Sequence, residues 1–317
     1  MSTIRVTILF STYNGAKTLP RMLEALTKTT LPRDQWKIVA VDNNSKDNTR
    51  EILEAFIDRL PLEIYFEPRQ GKENALETGF KHLEGDLVIF TDDDVIPEPD
   101  WVETFLRVSE ERHDFNIFSG LIKPAWDVTP PEWILKWAPL NILYADNSKV
   151  PVGEISSAWV HGPNCAYRRA SLGDVYRTNA GLGPNASVAQ YAMGQDTMFA
   201  IGIDAKAYHT AAAVVGHIVP ADYLSEKWIL GRAERYGLGQ PVTMPAWFKE
   251  PAFVFGIPAK STALLAYAFL RYFLLRWMGD AETRFKSAWE YRRRLGNYRK
   301  IKSLGQDSRG ILKGDPA

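Results

Sequence analysis

The chain has 317 residues, of which 45% are hydrophobic, and its 38 basic and 38 acidic side chains give a formal net charge of zero. This composition excludes a disordered or collagen-like protein and a globally basic nucleic-acid binder. The single cysteine, Cys165, excludes an internal disulfide framework and a multi-cysteine zinc site. The charge is unevenly distributed, because residues 271–303 contain ten Lys/Arg and only three Asp/Glu.

The first hundred residues alternate between apolar, β-branched runs and segments with helical spacing of apolar residues. Short buried strands separated by helices are typical of βαβ units, in which helices cover both faces of a parallel sheet. The sequence therefore predicts an α/β fold with a mostly parallel sheet flanked by helices. The predicted strands are 5–10, 36–41, 62–66 and 86–90, and the predicted helices are 19–28, 49–57 and 74–82.

Beyond residue 100 the pattern is less regular. A helix over 100–111 and a strand over 115–121 precede a segment rich in Pro and Trp that has no clear period. Its tryptophans, among them Trp133, either pack in the core or line a binding groove. No linker is apparent before about residue 250, so we predict a single domain over 1–249 followed by an extension.

Three adjacent carboxylates, Asp92, Asp93 and Asp94, follow the predicted strand 86–90. Ligands of open α/β sheets bind beyond the carboxyl ends of the strands, so these residues lie where a site is expected. Because adjacent acids repel one another, a cation or hydrogen-bond donors must offset their charge. In an extended segment Asp92 and Asp94 point to one side and suit a hard divalent cation that also binds phosphate oxygens. The alternative is a solvated acidic turn that caps the next helix.

Two further polar loops follow the first and second predicted strands, at the same edge of the sheet. The first, FSTYNG, contains Thr12, Tyr13 and Asn14, and the second, VDNNSKDNT, contains Asp42. Asp42 can accept a hydrogen bond from a base or ribose while Tyr13 lines the pocket. Ordinary turn formation is the alternative, since Asn, Asp, Ser and Gly favour turns. No dinucleotide-binding or P-loop glycine motif occurs, which argues against dehydrogenases and P-loop NTPases.

Together with RQGKENALETGF and TDDDVIPEPDW, these loops resemble the nucleotide-sugar half of family 2 glycosyltransferases of the bacterial polysaccharide-biosynthesis type. The resemblance covers residues 4–106 and implies a GT-A fold. It divides the domain into a nucleotide-sugar half, 1–110, and an acceptor half, 111–249. It implies that Asp94 is a direct metal ligand. The nucleotide-binding residues that it implies are Thr12, Tyr13, Asn14, Asp42, Arg69, Lys72, Asp92 and Asp93.

The second half resembles the family more loosely. HGPNCAYRRA is similar to a segment that lines the donor-sugar and acceptor site, which implies such roles for Gly162 and Asn164. MGQDTMFAIGI is similar to the segment that carries a Glu-Asp pair before a helix, and the aspartate of that pair, here Asp196, would be the general base. Gln195 stands where the family has glutamate and would alter acceptor contacts. We place Trp133 in the same acceptor region. The alternative for Asp196 is a helix N-cap.

Three basic residues in the acceptor half also match the family. His217, in VVGHIVP, resembles an occasional histidine metal ligand, and the alternative is a core histidine. Arg232 and Arg235, in WILGRAERYG, resemble a region that folds over the diphosphate. They lie three residues apart on one helical face, so they could equally be solvated or paired.

The resemblance implies metal-dependent, inverting transfer of a sugar from a nucleotide sugar to a hydroxyl of a glycan or lipid-linked glycan. Asp196 would be the general base, the metal would be Mn²⁺ or Mg²⁺, and a UDP-sugar is the expected donor. One competing hypothesis is a sugar-phosphate nucleotidyltransferase, which normally carries a Gly-rich basic loop that is absent here. Another is a non-catalytic nucleotide-sugar-binding protein, against which the intact Asp92, Asp94 and Asp196 argue.

Residues 250–317 are predicted to form an amphipathic, basic helical extension, in which an apolar stretch precedes the basic segment. This order suits an interfacial helix on an anionic membrane surface, bound through 251–303. The alternatives are a helix buried in the protein or in an oligomer interface, and a bilayer span, for which the stretch is shorter than the required ~20 residues. No RNA-binding motif accompanies the basic run, so nucleic acid is not expected as a partner.

The N-terminal apolar run is too short for a signal peptide. We therefore expect a cytoplasmic protein, peripheral on the inner face of the cell membrane. A homo-oligomer is compatible with this expectation.

Overall fold

The computed structural model describes residues 4–173, 182–188, 190–248, 250 and 252–304. Residues 249 and 251, at the predicted boundary between domain and extension, lie outside this set. The strands are β1 (Val6–Thr12), β2 (Trp36–Asp42), β3 (Leu62–Phe66), β4 (Leu87–Phe90), β5 (Val95–Pro97), β6 (Ile117–Trp126), β7 (Gly153–Ser156), β8 (Cys165–Arg168), β9 (Lys206–Val219), β10 (Phe253–Val254) and β11 (Ile257–Pro258).

The helices of the first hundred residues lie where the spacing of apolar residues predicts them, within a few residues at each end. The irregular segment after residue 126 forms only short helices, whereas the C-terminal part forms long ones. The helices are α1 (Leu19–Leu26), α2 (Thr49–Glu54), α3 (Lys72–Phe80), α4 (Trp101–Glu111), α5 (Glu132–Trp137), α6 (Leu140–Tyr144), α7 (Arg169–Leu172), α8 (Gln195–Ile203), α9 (Glu226–Thr243), α10 (Ala259–Met278) and α11 (Ala281–Leu304).

Within the described residues the central sheet has nine strands, in the order β3-β2-β1-β4-β8-β6-β9-β5, with β7 paired to β9. The four strands β3, β2, β1 and β4 are all parallel, as predicted. Thr12 is the register partner of Asp42, so the polar loops after β1 and β2 leave the sheet side by side. The α/β prediction with a mostly parallel nucleotide-half sheet is confirmed.

The other half of the sheet is mixed. β8 runs antiparallel to β4 and β6, while β9 runs parallel to β6 and antiparallel to β5. The short strand β5 begins directly after the aspartate cluster, and its Val95 is the register partner of His217 on β9. This pairing brings residues more than a hundred positions apart to the same edge of the sheet.

Alternating residues of the central strands pack into two separate apolar clusters, one on each face of the sheet. Ile8 and Ile38 belong to the first cluster, and Leu9 and Val39 belong to the second. Because successive side chains of a strand point to opposite faces, strands covered on both sides are apolar throughout. The helices on both faces thus bury β1 and β2 almost completely and hold their carboxyl ends in place.

A third apolar cluster joins the acceptor half to the C-terminal helices. Its buried residues include Tyr144, Ile229 on α9 and Phe285 on α11. The ring of Trp133 packs edge-on against that of Phe285, at 5.0 Å between centroids. Trp133 therefore packs against the core, which is one of the two alternatives that the sequence left open.

No helix in the described part of the chain has the length and hydropathy needed to cross a membrane.

Candidate functional site

The loop after β1 is joined to the loop after β2 by backbone and side-chain hydrogen bonds. Asn14 adopts a left-handed conformation, with φ of 53°, and its N–H donates to Ser45 Oγ at 3.0 Å. Asn14 Oδ1 accepts from the Lys46 N–H at 2.8 Å, and Asp42 Oδ1 accepts from the Ser45 N–H at 3.0 Å. Tyr13 is exposed beside them. These contacts make one polar rim of the two loops that the sequence assigned to a nucleoside.

Each of the three adjacent aspartates has a different partner. Asp92 Oδ1 accepts from Lys72 Nζ at 2.6 Å, and Asp93 Oδ2 accepts from the hydroxyl of Thr12. Asp94 Oδ2 lies 3.3 Å from His217 Nε2. Asp93 and Asp94 form a turn between β4 and β5 rather than an extended segment.

The partners give the three carboxyl groups different acidities. Burial raises the pKa of Asp92, and although Lys72 opposes this effect, the nearby carboxylates reinforce it. Burial, together with the charge of Asp94, raises the pKa of Asp93 to about 7. Burial also acts on Asp94, but the neighbouring imidazole of His217 outweighs it and holds the pKa of Asp94 below its ordinary value. Asp94 is thus the most fully ionised of the three at neutral pH.

Asp94 and His217 fit a divalent cation. Asp94 Oδ1 is buried and accepts no hydrogen bond from the described residues. His217 Nδ1 lies 2.8 Å from the Tyr144 carbonyl oxygen, so an N–H at that position donates to it and leaves the Nε2 lone pair toward Asp94. Within the described part of the chain, no three or more His, Cys, Asp or Glu side chains form a metal site by themselves. Other oxygen ligands would have to complete the coordination.

The carboxylate of Asp94 affects the acidity of His217 beside it. Burial lowers the pKa of His217, but the charge of Asp94 and the Tyr144 carbonyl together raise it above its ordinary value. The imidazole therefore binds a proton more readily than an ordinary histidine, and a metal ion at Nε2 would compete with that proton.

Asp196, in the first turn of α8, lies next to the aspartate cluster. Its Oδ1 accepts from Lys72 Nζ at 3.3 Å, so one ammonium group bridges Asp92 and Asp196. Although burial disfavours the charge of Lys72, the two carboxylates hold its pKa above the ordinary value. A Cβ atom at Gly162 would overlap the Asp196 carboxylate, so a larger residue there would have to displace that carboxylate. Lys72, Gly162 and Asp196 are thus brought together by the fold.

Arg69 has a different environment from Lys72. Its guanidinium donates to Glu67 Oε1 and Oε2, each at 2.8 Å, and to Glu77 Oε2 at 3.0 Å. Arg69 thus pairs with carboxylates outside the aspartate cluster, whereas Lys72 contacts both Asp92 and Asp196.

Two residues of the predicted acceptor region are deeply buried. Asn164 donates from Nδ2 to the carbonyl oxygens of Leu121 and Ala213, each at 2.9 Å, and its Oδ1 accepts from the Trp101 indole at 2.8 Å. Its amide thus ties together β6, β9 and α4. Gln195 is also buried, and its Oε1 has no hydrogen-bond partner among the described residues.

Helix α9 brings both predicted arginines to an aromatic group. The guanidinium carbons of Arg232 and Arg235 lie 5.7 and 6.0 Å from the centroid of the Trp228 ring. Arg232 contributes to the low pKa of Asp94, which places its charge near the aspartate cluster. Burial lowers the pKa of Arg235, whose Nε has no partner within the described residues.

Sequence reasoning assigned no role to the aromatic partners of these arginines or to His161. The ring of Trp228 stacks on Tyr223 at 4.3 Å and on Tyr144 at 5.8 Å between centroids. His161 is near both Asp196 and His217, and burial lowers its pKa. His161 and Trp228 are the first residues of two matched motifs, HGPNCAYRRA and WILGRAERYG, whereas Tyr144 and Tyr223 lie outside any motif. Their contacts join distant segments, which no local pattern predicts.

Comparisons with known proteins show which family the chain belongs to. The model of the family described as glycosyl transferase family 2 matches residues 7–175, just over half of the chain. The chain belongs to glycosyl transferase family 2. The matched region contains β1 to β4, the aspartate cluster and the segment with Gly162.

Curated relatives of this family 2 chain match it over about a third of their own length. Glycosyltransferase AglE of Haloferax volcanii is 34% identical over 100 residues, which are 31% of this chain and 33% of the relative. Undecaprenyl-phosphate 4-deoxy-4-formamido-L-arabinose transferase of Serratia proteamaculans is 29% identical over 114 residues, which are 35% of each chain.

Solved structures of similar fold cover nearly the whole family 2 chain. A mannosyltransferase, PcManGT from Pyrobaculum calidifontis in complex with GDP-Man and Mn²⁺, matches with a TM-score of 0.56 at 18% identity, over 94% of this chain and 87% of that one. Staphylococcus aureus TarS 1–349 in complex with UDP-GlcNAc matches with a TM-score of 0.52 at 16% identity, over 94% and 92%. At these identities the likeness concerns the fold, and the predicted GT-A fold is confirmed.

Proposed function

We propose that this chain is a metal-dependent, inverting glycosyltransferase that moves a sugar from a UDP-sugar to a hydroxyl acceptor, with Asp196 as general base. The observation that carries the proposal is the Lys72 bridge between Asp92 and Asp196, at 2.6 and 3.3 Å. This bridge places the Asp196 carboxylate, which belongs to the acceptor half, beside the aspartate cluster, which is expected to face the donor. Membership of family 2 supports sugar transfer over nucleotidyl transfer.

The donor would lie across the carboxyl ends of the parallel strands. Thr12, Tyr13, Asn14 and Asp42 would hold the nucleoside, because their two loops form a continuous polar rim. Lys72 and the arginines of α9 would face the diphosphate, since cations and ring faces converge there. The shared partner Lys72 would have to exchange a carboxylate contact for a phosphate contact when the donor binds.

Asp94 and His217 would hold Mn²⁺ or Mg²⁺, supported by the unpartnered Oδ1 and the imidazole beside it. When bound, such an ion stabilises the negative charge that develops on the leaving nucleoside diphosphate. The orientation of His217 is supported by its hydrogen bond to the Tyr144 carbonyl.

Asp196 would take the proton of the acceptor hydroxyl while that oxygen attacks the anomeric carbon. The new C–O bond forms on the face opposite the breaking bond to the diphosphate oxygen, so the configuration inverts in a single step. Asp196 is only partly buried, with a side chain 37% exposed, which leaves room for an acceptor. Lys72 keeps a positive charge beside this carboxylate.

The acceptor that we propose is a glycan or a lipid-linked glycan. One matched relative is named as an undecaprenyl-phosphate sugar transferase, which supports a lipid-linked acceptor. We accordingly propose a cytoplasmic enzyme that is peripheral on the anionic inner face of the cell membrane.

Two variants test this proposal. With a panel of UDP-sugars and oligosaccharide acceptors, Asp196→Asn is expected to slow UDP release by about 10²–10⁴-fold, the usual contribution of a general base. It should still bind UDP in the presence of Mn²⁺, measured as a thermal shift. Asp94→Ala is expected to lose both UDP release and Mn²⁺-dependent UDP binding, because the proposed metal ligand is removed.

Asp127→Asn, which removes an exposed carboxylate paired with Arg21, is the control and should behave as the wild type. Near-wild-type turnover of Asp196→Asn would exclude Asp196 as the base. Release of pyrophosphate in place of UDP would indicate nucleotidyl transfer, and UDP-sugar binding without any release would indicate a non-catalytic binding protein.

A further inference from the structure

Helix α10 is apolar around nearly its whole circumference. Over Ala259–Met278 its charged residues are Lys260, Arg271 and Arg276. A helix that is hydrophobic on all sides is normally surrounded by protein or lies against lipid. Among the residues that the structure describes, others cover only one side of α10.

The covered side packs on α11. Ser261 and Ala268 are buried, and the ring of Tyr272 stacks on Tyr291 of α11 at 5.5 Å and 4°. These positions recur at intervals of seven and four residues, which places them on one side of the helix.

The opposite side carries a row of exposed apolar side chains that we term the α10 stripe. Trp277 and Met278 are 73% and 82% exposed, and the other members are about half exposed or more. Spacings of three and four residues align them along one helical face. Such a contiguous exposed row is unusual on a soluble surface and marks an interaction site. The stripe consists of Tyr267, Leu270, Phe273, Leu274, Trp277 and Met278.

Arg271 and Arg276 lie along the two edges of the stripe. With about 100° between successive residues, Arg271 falls about 100° to one side of Leu270 and Arg276 about 120° to the other. Both arginines are exposed or partly exposed. Cations at the margins of an apolar face can keep their charged ends at phosphate level while the apolar side chains enter a bilayer.

The basic residues of α11, by contrast, are largely engaged within the protein. Arg292 and Arg299 pair with the buried carboxylate of Glu234 on α9, and Arg293 and Arg294 pair with Glu290. The excess positive charge of 271–303 is therefore not a uniform lipid-binding surface. The cations that flank exposed apolar area are on α10.

We propose that the α10 stripe lies in the headgroup–acyl boundary of an anionic bilayer, with α10 parallel to the membrane plane. Charge complementarity selects this occupant over a second copy of the chain. Both edges of the stripe are positive, so pairing two stripes face to face would bring like charges together, whereas anionic headgroups would neutralise both edges. This proposal specifies the surface through which the membrane attachment of the proposed function would occur. It rests on the proposed membrane attachment and not on the proposed catalysis.

Flotation of the full chain with vesicles tests the proposal. The wild type is expected to bind phosphatidylglycerol/phosphatidylcholine vesicles and to bind pure phosphatidylcholine far more weakly. The triple variant Leu270→Gln, Phe273→Gln, Trp277→Gln should lose binding by about tenfold for each side chain, because each loses its burial in lipid. Its matched control changes Ile57, Phe66 and Val128, exposed apolar residues elsewhere, to Gln.

A second variant tests the charged edges. Arg271→Gln combined with Arg276→Gln should weaken binding to anionic vesicles by about fivefold per charge and leave phosphatidylcholine unaffected. The control is Arg50→Gln with Arg107→Gln, two exposed cations on other helices. Unfolding temperature and UDP release are measured in parallel, so a failure of folding or of the catalytic proposal is distinguished from a failure of membrane binding.

Three outcomes would overturn the proposal. One is unchanged vesicle binding by the triple variant, and another is no preference of the wild type for anionic vesicles. The third is a wild-type dimer in sedimentation experiments that the triple variant converts to monomer without any loss of vesicle binding, which would assign the stripe to a contact between copies.

Discussion

The aspartate cluster shows at the residue scale how three like charges share one turn. Lys72, Thr12 and His217 each engage a different member. Since the charged forms are stabilised unequally, only one pKa of the three falls below its ordinary value, that of Asp94. Identical side chains in consecutive positions therefore acquire different properties, and the difference comes from partners far away in the sequence.

Glu67, close to the site, is another carboxylate whose pKa is shifted by its partners, and its role is structural. Its Oε1 accepts from the Arg69 backbone N–H at 2.8 Å, and its Oε2 accepts from the Thr78 hydroxyl at 2.6 Å. With the Arg69 guanidinium as the leading cause, these donors lower the pKa of Glu67 to about 2. Glu67 thereby fixes the turn that precedes Lys72 and presents it to the carboxylates.

Glu67→Gln should reduce stability in a pH-dependent manner. The folded pKa is below the ordinary value of 4.5, so the carboxylate stabilises the fold above that pH, and this contribution disappears as pH falls toward 2. Chemical denaturation should give a wild-type advantage of about 2 kcal/mol at pH 6 that shrinks by pH 3. Glu77→Gln, which removes only the exposed pair with Arg69, should cost less than about 1 kcal/mol. A pH-independent loss for Glu67→Gln would contradict this account.

At the scale of elements, the contact between α9 and α11 links the C-terminal extension to the site. The two helices approach closely at glycines, because a Cβ atom on Gly296 would overlap the carbonyl oxygen of Glu234. Asn297 Nδ2 donates to the Gly237 carbonyl at 2.8 Å, and Glu234 accepts from arginines of α11. Since α9 also carries Arg232, α11 helps to hold a cation of the candidate site in position.

Gly296→Ala tests this close contact. The added methyl group meets backbone that cannot rotate away, so the free energy of unfolding should fall by about 1–3 kcal/mol. Gly231→Ala on α9 is the matched control, because open space surrounds its Cβ position, and better helix propensity should stabilise it by up to about 1 kcal/mol. Denaturant titration measures both, and equal effects of the two substitutions would disprove the contact.

The whole molecule joins an acidic body to a basic end, and the two are not independent parts. Phe285 and Ile301 of α11 are buried, the former in the apolar cluster that includes Trp133. The predicted division at 249 stays a prediction. The contacts of α11 nevertheless imply that the extension contributes to the stability of the domain as well as to its proposed attachment.

Deleting residues 251–317 should therefore do more than release the protein from membranes. Losing the burial of Phe285 and Ile301 removes about 4 kcal/mol of apolar stabilisation, which corresponds to a fall of about 10 °C in Tm. Differential scanning calorimetry checks this. The triple variant of the α10 stripe, which changes only exposed side chains, should keep its Tm. A truncated protein with wild-type Tm would show that α11 does not stabilise the domain.

The sequence by itself determined the parallel half of the sheet, the aspartate cluster at its edge and the family. These features follow from local signals, since strand period, helical spacing and short motifs are written in consecutive residues. Only the tertiary structure decided which polar groups pair with one another and which helices pack together. Lys72, and not Arg69, bridges to Asp196. The side-chain amide of Asn164 forms hydrogen bonds with three different elements, and α11 packs on α9. Each of these depends on residues far apart in the chain, whose meeting is set by packing and has no local pattern.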